Sequence, residues 1–332
     1  MLKILVIQTA FIGDAVLATG ILEKLHTRFP DAQIDYLVRK GNEGLFKGHP
    51  YLHELIVWDK QQGKMANLFR LLARIRTARY DKVINVQRFA ATGMLTAFSG
   101  AKETIGYDKN PWSRFFTTRV PHIISTAEHP KHEVERCNDL IRHFTDDEVY
   151  LPRLYPTTED FAKVAGFKAQ PFICIAPASV WFTKQYPAAK WIAFLDRVPA
   201  GIKVYILGAP GDKELAKEII GGTKHPAVVS LCGELGMLQS AALMKDALMN
   251  YVNDSAPMHF ASSVNAPTAA IYCSTIPAFG FGPLSDGAAI IETREQLDCR
   301  PCGLHGHAAC PKGHFNCAYT IKEEQLLGLL PQ

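Results

Sequence analysis

An aspartate that follows a glycine at the end of an apolar strand-like run, and opens a helical one, is placed to handle a proton. In the stretch VIQTAFIGDAVLATGILEKL, residues 6–25, that residue is Asp14, directly after Gly13. Two readings compete for it. Aspartate is a favoured helix N-cap, and helix N-termini welcome negative charge. The same turn also lies at the carboxyl end of the first predicted strand, where open α/β sheets place their ligands, and a carboxylate there serves as a general base. Capping amides would lower its pKa and weaken it as a base, so the roles compete without excluding each other.

Two further stretches could bind phosphate. In NDSAPMHFASSVNAPTAAIY, residues 253–272, Asp254 or Ser255 caps a helix whose Pro257 sits in the first turn, where proline costs least. The free amides of that turn make a phosphate site without any side chain, although a generic capped helix reads the same way. In IAPASVWFTKQYPAAKW, residues 175–191, a strand ends at Pro177, a loop carries Ser179, and Lys184 precedes the next helix. A lone lysine is ordinarily solvated; beside Ser179 at a strand end it becomes a point charge for phosphate oxygens. Neither the dinucleotide fingerprint nor the P-loop is present, and no Asp-x-Asp pair offers to hold a diphosphate through a divalent metal. Amides and lysine would have to neutralise it.

The tail CRPCGLHGHAACPKGHFNC brings together Cys299, Cys302, Cys310 and Cys317, with His305, His307 and His314 among them. Four thiols at this spacing suit tetrahedral zinc, but reduced packing cysteines are the commoner case; disulfides are disfavoured in the cytoplasm. Cys137, Cys174, Cys232 and Cys273 stand in apolar contexts and read as small buried hydrophobes.

Positioning such groups requires a frame. Short β-branched runs alternate with helical patterns from end to end: KILVI, QIDYLV and KVINV, then FICIA, KVYILG, AVVSL, ALMNYV and TAAIY. That alternation predicts parallel sheets of the βαβ type. Leu17, Ile21, Leu25 and Phe29 recur at four-residue steps, and Trp191, Phe194, Leu195 and Val198 share one helical face. The rhythm fades between about Asp108 and Phe167 and resumes at PFICIAP, which sets a domain boundary around Pro156 to Lys168. The expected architecture is α/β, with two doubly wound parallel-sheet domains facing across a cleft: 1–160, 161–320, and a closing helix over 321–332.

The 332 residues are 48% hydrophobic and 20% charged, a globular composition with room for two cores. A net charge of +4 is too small to imply a nucleic-acid binder, yet agrees with an anionic substrate or a loose association with an acidic membrane surface. The chain opens on a strand pattern rather than a signal peptide, and its longest weakly charged stretch is broken by Asp254, asparagines and prolines. A cytoplasmic protein is expected.

Taken in order, IGDAVLATGILEKL, TKQYPAAKW, NDSAPMHFASSVNAPTAAIY and STIPAFGFGPLS resemble glycosyltransferase family 9, the ADP-heptose:lipopolysaccharide heptosyltransferases, and the cysteine tail is most similar to the heptosyltransferase II subgroup. The resemblance implies a GT-B fold of two Rossmann-like domains, acceptor in the first and donor in the second, with the last helix, IKEEQLLGLL, crossing back to the first. It implies inverting, metal-independent transfer of heptose from ADP-heptose to a sugar hydroxyl of the lipopolysaccharide inner core. The mildly basic charge, separately, suggests peripheral contact at the cytoplasmic face of the inner membrane, where that acceptor sits. Asp14 matches the family's base, Ser179 and Lys184 its donor-phosphate loop, and Asp254, Ser255, Ala256 and His259 its diphosphate motif, with alanine at 256 where the family usually has glycine. On this reading Asp254 orients the amides as a cap rather than touching phosphate. Glu214 falls where the family has an acidic ribose contact. The acceptor carries carboxylates and phosphates, for which Gly13, Arg39, Lys40, Arg88, Arg114 and Arg119 are candidates, each also readable as an ordinary surface residue. Rival readings are the same chemistry on another nucleotide sugar or glycan, a nucleotide-sugar binder without turnover, and a zinc-binding module confined to the tail.

Overall fold

Runs such as Ile4-Leu5-Val6-Ile7 and Ile173-Cys174-Ile175 carry no residue that tolerates water on either face, so they form strands only where helices cover both sides. The computed structural model of the chain describes residues 1–61, 63–126 and 128–331. It separates into one unit of Met1–Ser125 with Lys131–Tyr155 and a second of Thr126–Pro130 with Pro156–Gln332.

In the first unit six parallel strands, β1 (Lys3–Ile7), β2 (Gln33–Arg39), β3 (Glu54–Trp58), β4 (Lys82–Asn85), β5 (Glu103–Tyr107) and β6 (Thr118–Val120), are ordered β3-β2-β1-β4-β5-β6. The chain steps outward from β1 to one edge and returns to β4, so the direction of winding reverses between β1 and β4. Its helices are α1 (Ile12–Leu17), α2 (Thr19–Arg28), α3 (Lys64–Ala78), α4 (Ala90–Ala97) and α5 (Glu133–Asp139). Leu17, Ile21 and Leu25 are buried as their spacing predicts, but the segment breaks at Ala18 into two helices. Leu5, Ile7, Leu37, Ile56 and Trp58 meet Leu68, Leu71 and Ile75 of α3 in one core. Gly20 lies so close to the chain that a Cβ there would come 2.4 Å from the Tyr150 carbonyl oxygen, which is why α2 needs glycine at that point.

The second unit repeats the plan with β7 (Phe172–Ala176), β8 (Lys203–Ile206), β9 (Val228–Ser230), β10 (Asn250–Asn253), β11 (Thr268–Tyr272) and β12 (Ala288–Glu292), ordered β12-β11-β10-β7-β8-β9 and parallel throughout. Winding reverses between β7 and β10. The helices are α6 (Thr158–Val164), α7 (Ala188–Leu195), α8 (Lys213–Gly222), α9 (Met237–Met244), α10 (Ala256–Ser263), α11 (Asn316–Tyr319) and α12 (Glu323–Leu327). The predicted face of Trp191, Phe194, Leu195 and Val198 is buried against the sheet.

The chain passes between units at Tyr155–Pro156, the near end of the Pro156–Lys168 boundary read from the sequence, and α6, capped by Thr157 and packed on α9, belongs to the second unit. One sequence expectation is corrected. The closing helix does not leave the second unit: α12 packs on α7, with Lys190 paired to Glu323, Arg197 to Glu324, and Tyr251 Oη donating a 2.9 Å bond to the Leu326 carbonyl. Burial of Leu326 in the second core holds it there; Gln332 lies outside the described residues. Among those residues no helix is long and apolar enough to cross a membrane.

Candidate functional site

Each unit places part of the predicted set on the loops that flank its reversal of winding, where open α/β sheets bind their ligands: Asp14 and Arg88 in the first, Ser179, Lys184, Asp254 and Ser255 in the second. In the first, the loops after β1 and β4 are tied together: Gln87 Oε1 accepts from the Thr9 amide at 3.0 Å and the Thr9 hydroxyl at 2.7 Å. Lys60 Nζ reaches the Thr9 carbonyl at 2.7 Å, and Asn110 Nδ2 donates to the carbonyls of Gln87 and Phe89 at 3.1 Å each.

Asp14 does not cap α1. Phe11 holds the N-cap position, Gly13 is the second helical residue and Asp14 the third, and the amides of Phe11 and Asp14 bond back to its buried carboxyl. Burial, reinforced by the negative charge of Glu133, pushes the Asp14 carboxyl up to about 7. The amides of Phe11 and Asp14, then Arg136, pull the other way and lose. The concern that capping amides would weaken the base is thereby answered: desolvation outweighs them.

Glu133 and Arg136 were not anticipated from the sequence. They sit one turn apart on α5, both largely buried; Arg136 Nε donates to Glu133 Oε2 at 2.7 Å, and Tyr107 Oη donates to the Arg136 carbonyl at 2.9 Å. Burial raises the Glu133 carboxyl, and Arg136 and then Arg88 oppose it. His122, stacked edge-on to Tyr107, is pushed down to about 4 by burial and by Arg88 and Arg136. The signal in the sequence was the Glu-x-x-Arg spacing beside Val134 and Cys137, which reads as a helix burying a charged pair.

The basic candidates separate. Arg39, at the end of β2, lies over the Phe11 ring at 5.7 Å, and Arg88 ends the β4 loop beside Phe89. Lys40 is paired with Asp59 at 2.8 Å, Arg114 lies over its neighbour Phe115 at 4.7 Å in the turn after β5, and Arg119 is exposed on β6.

In the second unit Asn253, at the end of β10, binds the loop after β7, donating to the Pro177 carbonyl at 2.7 Å and accepting from the Tyr186 amide at 3.0 Å. Across this staple Lys184 Nζ meets Asp254 Oδ2 at 2.6 Å, and the same oxygen accepts from the Thr275 hydroxyl at 2.7 Å. Asp254 is therefore not the cap of α10. Ser255 occupies that position without a side-chain cap bond, and α10 begins at Ala256 with Pro257 next, leaving first-turn amides such as that of Ala256 at the strand-end face. Ala256 is helical and has no positive φ, so this backbone does not require the family's glycine. His259 is buried on α10. Ser179 offers its carbonyl to Gln185 Nε2 at 2.6 Å, which rounds the loop. Glu214 is brought to the same edge by α8, but its side chain is 82% exposed and paired with Lys217 at 2.6 Å.

The tail braces this site. Thr183 and His307 exchange backbone and side-chain bonds: the Thr183 amide donates to the His307 carbonyl at 3.1 Å, and the His307 amide to Thr183 Oγ1 at 2.8 Å. Arg300 donates to the carbonyls of Cys273 (2.8 Å) and Thr275 (2.9 Å). Cys317 is buried in the second core, with Cys310 packed against it, and Cys299 Sγ lies 3.9 Å from His314 Nε2. Four amides of the following turn lower the Cys310 thiol against its burial, while burial and its neighbours Cys299 and Cys310 raise Cys302. Among the described residues no group of three or more His, Cys, Asp or Glu is disposed to hold a metal ion. Cys137, Cys174, Cys232 and Cys273 are buried, as their contexts predict.

Residues 68–307 match the model of glycosyltransferase family 9 (heptosyltransferase). The chain is 26% identical over 280 residues to lipopolysaccharide heptosyltransferase 3 of Escherichia coli, covering 80% of this chain and 82% of that protein. Among solved structures, a family 9 glycosyltransferase from Veillonella parvula superposes with a TM-score of 0.86 at 23% identity, covering 98% and 95% of the two chains. The ADP-heptose lipopolysaccharide heptosyltransferase II of E. coli superposes with a TM-score of 0.81 at 20% identity, covering 99% and 97%.

Proposed function

The chain belongs to glycosyltransferase family 9, and from that premise we propose that it moves heptose from ADP-L-glycero-D-manno-heptose to a sugar hydroxyl of the inner core of lipopolysaccharide, with inversion and without a metal cofactor. The observation that carries the reading is Asp14: a carboxyl raised to about 7 by burial, at the winding reversal of the first unit, is matched to taking a proton at neutral pH. The heptosyltransferase relatives support the donor and the acceptor class.

Displacement at the anomeric carbon develops positive charge there and negative charge on the departing diphosphate. In the first unit Asp14 accepts the proton of the attacking hydroxyl. In the second, Lys184 and the first-turn amides of α10 stabilise the leaving ADP. Asp254 holds Lys184 rather than touching phosphate, since like charges repel. Glu214 remains the candidate for the ribose and Arg39, Arg88 and Arg114 for the acceptor's anionic groups. Its place is the cytoplasm, with peripheral contact at the inner membrane where the acceptor sits.

The test is transfer itself. Purified protein, ADP-heptose and a panel of core acceptors ending in Kdo or in a first heptose are mixed without added metal and read by mass spectrometry. Addition of one heptose to the heptose-ended acceptor is expected. No transfer to any acceptor by folded protein that binds ADP would overturn the reading in favour of another sugar or a binder without turnover.

A further inference from the structure

Phe11 and Phe89 occupy equivalent positions on the two loops that flank the first unit's winding reversal. β1 and β4 pair in parallel with Ile7 opposite Asn85, and each phenylalanine follows its strand's last residue by four. Each is the N-cap of the helix that follows, α1 or α4, in extended backbone and with no side-chain cap bond. Serine, threonine, asparagine or aspartate stabilise a helix at that position; phenylalanine does not. The rings are not sheltered either, being 69% and 63% exposed. Two adjacent loops thus both carry, at the position where a polar residue serves the fold, a large aromatic ring that serves neither the cap nor the core.

The loops are held rigid beneath the rings by the Thr9–Gln87 bonds, by Lys60 on the Thr9 carbonyl and by Asn110 on the Phe89 carbonyl. Phe11 stands three residues before Asp14, and its amide is one of the groups acting on that carboxyl. Cations accompany both rings: Arg39 lies 5.7 Å over Phe11, and Arg88 precedes Phe89.

We propose that Phe11 and Phe89 form an aromatic platform on which the acceptor's sugar rings stack, with Arg39 and Arg88 reading the anionic groups those sugars carry. A pyranose presents an apolar face of C–H groups and a rim of hydroxyls, so a flat ring takes the face and leaves the attacking hydroxyl toward Asp14. The charge complements an anionic glycan, and a bidentate guanidinium suits its carboxylates or phosphates. This inference rests on the heptosyl-transfer reading and adds the acceptor subsite to it.

The experiment uses the full chain with Phe11→Ser and Phe89→Ser, singly and together. Serine at an N-cap favours the helix, so melting temperatures are expected to hold or rise, which separates binding from folding. With ADP-heptose and a delipidated core glycan, each substitution is expected to raise the acceptor KM about fivefold while the donor KM stays unchanged. Phe11→Trp is expected to keep the parental acceptor KM. Wild-type transfer with serine variants of unchanged acceptor KM overturns the platform alone. A loss seen only with lipid-linked acceptor also overturns it, by assigning the rings to a lipid surface. Absence of transfer by the wild type overturns the functional reading, and the platform with it.

Discussion

Lys184 and Asp254 form a 2.6 Å ion pair that joins the loop after β7 to the loop after β10, directly across the winding reversal of the second unit. Both side chains are mostly buried, at 15% and 9% exposure, so neither charge is well screened by water. On the proposed reading, a diphosphate would meet an ammonium already positioned and already desolvated, at a lower cost of organising it. Asp254 is in turn anchored by Thr275, which keeps it from following the lysine.

Lys184→Met is expected to raise the donor KM about ten- to a hundredfold, the effect of losing a charged hydrogen bond worth about 1.5–3 kcal/mol, while the acceptor KM is unchanged. It also leaves the Asp254 carboxylate buried without its cation, at a cost of about 3 kcal/mol in stability. Adding Asp254→Asn is expected to recover much of the stability but none of the donor affinity. Denaturant titration and steady-state kinetics read the two separately, and a single variant with parental donor KM would remove Lys184 from the phosphate site.

With Asp14 as the proposed base, its carboxyl, raised to about 7, is expected to make the reaction sensitive to pH in a defined direction. The base works only when ionised, so kcat/KM is expected to rise about tenfold per pH unit below 7 and to level above it. Asp14→Asn is expected to reduce turnover at least a hundredfold while ADP still binds. The linkage sign is opposite for folding. Because the folded pKa lies above the unfolded one, ionisation of Asp14 removes stability as pH rises from about 4 to 7. Asp14→Asn therefore melts higher than the parent at pH 8. A profile flat through pH 6–8 would show that Asp14 is not the titrating base.

Glu133 and Arg136 should move that profile in opposite directions. The negative charge of Glu133 disfavours ionisation of Asp14, and Arg136 favours it. Glu133→Gln removes the first and leaves the second unpaired, so the acidic limb is expected to shift to lower pH by about half a unit or more. Arg136→Gln is expected to shift it upward. The shape of a pH profile does not depend on how much enzyme is folded, so a merely structural pair would move neither limb.

Much of the frame was readable because parallel strands covered on both faces must be apolar: KILVI, FICIA and TAAIY coincide with β1, β7 and β11. The strands not anticipated, β3 (ELIVW), β5 (ETIGY), β6 (TRV) and β12 (AAIIE), begin or end on a charged residue, carry glycine, or are very short. Three of them, β3, β6 and β12, are sheet edges, where one side of the strand lacks a partner and the sequence need not be continuously apolar. Asp14, Lys184 and Asp254 were legible because each follows a recognisable strand end. Their exact duties were not. Whether an aspartate caps a helix depends on a one- or two-residue choice of where the helix begins, and α1 starts at Ile12 while α10 starts at Ala256. Glu133 and Arg136 lay in the stretch where the strand–helix rhythm fades, and only burial beside Asp14 gives them meaning.

Gly306 connects the cysteine tail to the loop that carries Lys184 more directly than any thiol does. It has φ +79°, and a Cβ built there would lie 2.9 Å from Lys184 Cγ, 3.1 Å from Thr183 Oγ1 and 3.3 Å from Trp181 Cβ. Alanine at this position meets two penalties at once: a left-handed backbone that costs about 1–2 kcal/mol, and a methyl group forced into the loop that carries Lys184. The loop can yield only by shifting Lys184 or by breaking the paired bonds between Thr183 and His307. Gly306→Ala is therefore expected to raise the donor KM about tenfold with the acceptor KM unchanged, alongside a stability loss of about 1–2 kcal/mol. Gly100→Ala, with φ +75° and nothing within 4 Å of the added carbon, shares the backbone penalty without the clash and is the matched control, expected to alter neither KM. If Gly306→Ala lowers stability but leaves the donor KM at its parental value, the tail is packing for the second unit and not a brace for its phosphate loop.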